Sequence, residues 1–77
     1  MSLGFNSQLR LGDWLYHVQT EDHGSSHPFI DTVVFSQGQV LHRHSTSYQD
    51  LLSDGIADQD ALRARVEQQH RGILEAL

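Results

Sequence analysis

The sequence predicts an α+β fold: an antiparallel sheet of about four strands, built from two β-hairpins, with a short helix and a longer C-terminal helix packed on it. Three observations lead there. Two stretches of strand-like residues each fold about a glycine-containing pair, Gly12-Asp13 and Gln37-Gly38. The only proline, Pro28, stands in a polar segment between them. The C-terminal segment then changes period, with Leu62, Val66, Ile73 and Leu77 recurring at helical spacing. Short hairpin connections make the sheet antiparallel. The 77 residues allow one small domain, with the hairpins at 5–45, the short helix at 47–54 and the long helix at 58–77.

The first hairpin can be registered from its side chains. A two-residue Gly12-Asp13 loop of type II′ sets Leu11 opposite Trp14, Leu9 opposite Tyr16, Ser7 opposite Val18 and Phe5 opposite Thr20. Those eight share one, mainly apolar face, and the other face is polar apart from Leu15. A slip of one residue would exchange the two faces, so the pattern specifies the pairing. Trp14 and Tyr16, beside Leu9 and Leu11, are expected in the core.

Residues 21–29 read as a loop, with Gly24-Ser25-Ser26 and Pro28. Glu21 and Asp22 are expected there as two solvated acids. The second hairpin runs from Ile30 to Ser45 about Gln37-Gly38. A two-residue loop without irregularity pairs Phe35 with Val40, Val33 with His42 and Asp31 with His44. On the reverse face it pairs Val34 with Leu41, Thr32 with Arg43 and Ile30 with Ser45. Both faces then carry apolar residues, one for the helix and one for a second chain.

Ser47 and Asp50 resemble a capping pair for the short helix, which Gly55 would stop. Asp58 begins the long helix, where acid complements the dipole. Glu67 and Arg71 stand four apart in the favourable order. Leu62, Val66, Gln69, Ile73 and Ala76 also follow a 4, 3, 4, 3 spacing, a heptad-like face with one polar layer. Gln69 and His70 are expected at the edge of the core, reaching solvent or backbone.

Composition narrows function. The net charge is −5, all five basic residues are arginine, and no lysine is present. Nucleic-acid binding and docking on anionic lipid both need more cations than this. The longest apolar runs, Trp14-Leu15-Tyr16 and Val33-Val34-Phe35, are far below the roughly 20 residues of a membrane span. Met1-Ser2-Leu3-Gly4-Phe5 has neither the basic start nor the apolar stretch of a signal segment. With no cysteine, no disulfide can brace the fold, and a reducing, cytoplasmic setting is expected. No nucleophile elbow, phosphate loop or H-E-x-x-H motif occurs, and so short a chain has little wall for a substrate pocket. The chain is expected not to be an enzyme.

Two functional readings remain. The first is a protein-interaction module or adaptor, homodimeric or bound to a protein partner, with Val34, Leu41, Val66, Gln69 and Ile73 as contact residues. No cofactor is needed. The second rests on the six histidines. In the expected register His42 and His44 project from one face with Asp31 opposite His44, two imidazoles and a carboxylate that would take zinc. His23 and His27 on the adjoining loop would complete the set. Against this, a cross-strand His44–Asp31 pair and solvated loop histidines account for the same residues without a metal.

Overall fold

The computed structural model describes residues 3–77; Met1 and Ser2, which open the N-terminal segment read above, lie outside the described residues. The architecture is α+β. Four strands, β1 (Gly4–Leu11), β2 (Trp14–Asp22), β3 (Phe29–Ser36) and β4 (Gln39–Ser47), form one antiparallel sheet in the order β1-β2-β3-β4. A single 3-10 turn at Gln49–Leu51 follows, then β5 (Leu52–Ser53) and β6 (Ile56–Ala57), a separate two-residue ladder. The chain ends in α1 (Gln59–Ala76), which packs on the sheet chiefly over β2.

The first hairpin has the register that its alternation specifies, from Leu11 opposite Trp14 to Phe5 opposite Thr20. Gly12 takes φ +62°, the sign required at the first position of a II′ turn. The second hairpin departs from expectation. Phe35 does pair with Val40, but Val34 pairs with His42, Val33 with Arg43, Thr32 with His44, Asp31 with Ser45 and Ile30 with Thr46. The register shifts between Val34 and Phe35, leaving Leu41 as the extra residue of a β-bulge. Every pair beyond it is displaced by one, so the side chains of β4 change faces relative to the unbulged hairpin. The turn keeps both central residues at positive φ, Gln37 at 54° and Gly38 at 76°.

The short helix expected at 47–54 is also corrected. Only Gln49–Leu51 coils, the Ser47 hydroxyl accepts from the Gln49 amide at 3.2 Å as a capping residue would, and the chain reverses through Asp54-Gly55. Both residues sit at positive φ, 52° and 77°, the pair that an I′ hairpin turn selects. Helix α1 begins as predicted. The Asp58 carboxylate accepts from the amides of Asp60 and Ala61, and Glu67 bonds Arg71 at 2.9 Å.

The sheet face under α1 carries Val18, Thr20 and Asp22 from β2 and Ile30, Thr32, Val34 and Ser36 from β3, all buried. Ile30, Tyr48, Ala57, Leu62 and Val66 form the core cluster, with Leu3, Phe5, Leu51 and Leu52 against it. This cluster lies at the end of the sheet opposite the two hairpin turns. From there α1 climbs towards the turns: Leu62 and Val66 meet the cluster, Gln69 meets Thr32, and His70 meets Ser7 and Thr20.

Candidate functional site

The residues expected at a partner surface are divided by the fold. Val34 and Val66 are completely enclosed within this chain, at 1% and 0% exposure, so neither offers surface to a partner. The first half of the helix stripe, Leu62 and Val66, is satisfied by the chain's own core, while Ala76 and Leu77 at its end are exposed. Ile73 is half-buried on the same face. Gln69 is an internal tie. Its amide donates towards the carbonyls of Ile30 (3.1 Å) and His44 (3.2 Å) and the Thr32 hydroxyl (3.0 Å), and its oxygen accepts from Thr46. Leu41 alone of the five is strongly exposed.

Around Gln69 a buried polar seam joins helix to sheet. Thr20 and Thr32 hydroxyls are 2.8 Å apart, His70 Nδ1 lies 2.7 Å from Thr20, and His70 Nε2 lies 2.8 Å from Ser7. The bond directions follow from counting protons. Thr32 already accepts from Gln69, so its own proton goes to Thr20 and the Thr20 proton goes to His70 Nδ1. His70 is then neutral, with Nε2–H donating to Ser7. The opposite direction leaves the Thr32 proton without an acceptor. Burial holds the His70 pKa below its ordinary 6.5. A second buried pair flanks the seam. The Tyr48 hydroxyl donates to Asp22 at 2.5 Å, and the Gly24 amide donates to the same carboxylate at 2.8 Å. Burial, with the Asp22 hydrogen bond and charge, pushes the Tyr48 phenol up to about 12. Asp22 is therefore a buried structural acid, not the solvated loop residue expected. Alternation could have found it, because Asp22 continues the Val18-Thr20 face of β2.

The proposed metal set does not come together. The bulge places Asp31 opposite Ser45, on the face turned away from α1, whereas His42 and His44 lie on the helix side of β4. Among the described residues no three histidine or acidic side chains converge as metal ligands. Asp31 instead takes His23, with Nε2 2.9 Å from its carboxylate, and accepts from the Ser45 hydroxyl. These residues, with His27 and Phe29, line a cleft of about 440 Å³. In it the serine donates to a carboxylate and the histidine bonds the same carboxylate. A nucleophile array needs the histidine between them. His17, half-buried, stacks on Phe35 with ring centroids 5.0 Å apart.

A group of exposed apolar side chains lies at the hairpin end, where Trp14 and Leu11 were expected in the core and Leu41 at a partner surface. Leu11, Trp14, Val40 and Leu41 are exposed by 39, 49, 63 and 52%, and all four flank the two hairpin turns. The strand order brings both turns to one end of the sheet. Trp14, Tyr16 and Leu41 share a shallow depression of about 160 Å³ with Ser36, Gln37 and Gln39. Trp14 and Leu11 face the helix side, yet α1 ends short of covering them. The bulge turns Leu41 towards the same depression. Trp14 is thus corrected from core to surface: the sheet outruns its helix. No helix among the described residues is long and apolar enough to cross a membrane. Comparison of the chain with known protein families, with characterised proteins and with solved structures found no match.

Proposed function

We propose that the chain is a small, non-enzymatic protein-interaction module, an adaptor that pairs with a second copy of itself through the hairpin end of the sheet. One observation carries the reading. Trp14 and Leu41 stand exposed on either side of a depression the fold does not fill, and Leu11, paired with Trp14, is exposed beside them. Clustered apolar side chains of this kind mark interaction surfaces when they are contiguous. Tryptophan is among the residues that most often dominate binding energy. The charge balance of −5 supports a protein partner over nucleic acid. The absence of cysteine supports a cytoplasmic setting.

The test compares sedimentation of the wild-type chain with Trp14→Glu and Leu41→Glu. Both sites are exposed, so each variant is expected to keep the wild-type circular dichroism spectrum while the dimer dissociates, and to lose the rise of melting temperature with protein concentration that a dimer shows. A wild-type chain that remains monomeric at its highest soluble concentration rules out self-pairing. Unchanged association in both variants places the contact elsewhere.

A further inference from the structure

We infer that His42 and His44 are half of a transition-metal site that a second copy of β4 completes, so that a zinc-like ion bridges two chains edge to edge. This uses the outer edge of β4 rather than the face around Trp14; the two surfaces share Leu41, but the metal site does not require the hairpin-end contact.

The chemistry starts from the bulge. By moving the register one residue, Leu41 puts His42 opposite Val34 and His44 opposite Thr32, both on the helix side of the sheet. The two rings lie parallel, 10° apart in plane, with centroids separated by 6.4 Å, and both side chains are exposed. Two imidazoles at i and i+2 of a strand can converge on one ion by side-chain torsion alone. Among the described residues no third ligand joins them, since Val34 and Thr32 are the cross-strand neighbours and Asp31 is on the other face.

The missing ligands have one natural source. In the order β1-β2-β3-β4 no strand among the described residues pairs the outer edge of β4, and nearly all of Gln39–Ser47 is exposed. Antiparallel pairing of this edge with its own copy, centred on Arg43, sets His42 of each chain opposite His44 of the other. Directly opposed Cβ atoms in such pairs are about 4.5–5.5 Å apart. Four imidazoles then share one face around the two-fold axis. That number closes a tetrahedral zinc shell, with Zn–N bonds of about 2.0–2.1 Å. The same register sets Arg43 against Arg43 on the other face, and the bulge disturbs the edge nearby. Like charges and bulges are what keep edges from pairing. The edge is therefore held open without metal, and the ion is what makes pairing favourable.

The experiment is zinc titration of tag-free, chelator-washed protein, followed by sedimentation and by competition with a chromophoric chelator. Trp14→Glu is the background, so that any hairpin-end dimer is absent. The expected result is one ion per two chains, with the mass doubling as zinc is added and reverting on chelation. His42→Ala and His44→Ala each abolish both effects, while His23→Ala and His27→Ala abolish neither. Cobalt substituted for zinc is expected to give the intense visible bands of a tetrahedral site. A chain that stays monomeric at saturating zinc overturns the inference. So does a zinc-driven dimer that survives both His42→Ala and His44→Ala. If instead wild-type protein dimerises without metal and zinc changes nothing, the hairpin-end reading stands and this one falls.

Discussion

Asp22 shows how much a single hydroxyl carries here. The carboxylate is 4% exposed, and its recorded donors are the Tyr48 phenol and the Gly24 amide. Tyr48→Phe keeps the ring in the core and deletes one donor, leaving a buried acid short of a partner. The expected cost is about 1–3 kcal/mol in denaturant unfolding, with little change in the m value. A loss below a few tenths would mean that water replaces the phenol. His70 makes a pH prediction. Its folded pKa lies below 6.5, so the unfolded chain takes up the proton first. Its contribution to stability is whole above pH 6.5 and declines as pH falls below that value. The titratable groups on the sheet face beneath it are Tyr16, Asp22, His42 and His44, and Glu67 and Arg71 flank it on α1. Protonation at Nδ1 would oppose the Thr20 donor and reverse the chain of hydroxyls back to Gln69. The midpoint of denaturation is expected to drop as pH falls below about 6.5, and His70→Met is expected to flatten that drop. An equal slope in both proteins would remove His70 as its cause.

At the scale of elements, legibility follows the amount of pattern each segment holds. β1 and β2 alternate with Leu15 as the main exception, so only one register gathers the apolar set on one face, and the expected pairs are recovered. β3 and β4 carry apolar residues on both faces and no alternation through His42-Arg43-His44. Nothing in such a strand resists a one-residue shift, and the bulge at Leu41 cannot be read from it. The metal set was lost for this reason alone. The short helix was misread because Tyr48, Leu51 and Leu52 have helical spacing, while Asp54-Gly55 carries the stronger turn signal. Asp58 was legible because capping is chemically narrow: a short acceptor must reach the amides two and three residues on. Asp58→Ala is expected to lower stability by about 1 kcal/mol, read by chemical denaturation. The first-turn amides of Asp60 and Ala61 should then exchange faster, while those around His70 keep their protection. An unchanged midpoint would show that Asp60, in the same turn, replaces the cap.

The whole molecule is unevenly stabilised. Its extents are 47 × 19 × 19 Å, and its apolar cluster sits at one end, where Ile30, Tyr48, Leu62 and Val66 meet. The other end is two hairpin turns and their exposed side chains. Sequence periodicity identifies which residues are apolar but not how far a helix reaches along a sheet. Trp14 and Tyr16 therefore read as core, although the helix ends before covering Trp14. Local opening follows buried contact, so hydrogen exchange is expected to be polarised. Amides of β2 and β3 beside Thr20, Ile30 and Thr32 should be the slowest, together with the middle turns of α1. Amides near Gly12-Asp13 and Gln37-Gly38 should exchange early, as should the outward-facing amides of β4. A partner seated at the hairpin end would slow the first of these groups, and zinc-driven pairing of β4 would slow the last. Exchange measured with and without zinc, at concentrations spanning association, separates the two surfaces in one experiment. Uniform protection along the sheet would show that the hairpin end is held as firmly as the core cluster, and the polarised picture would fail.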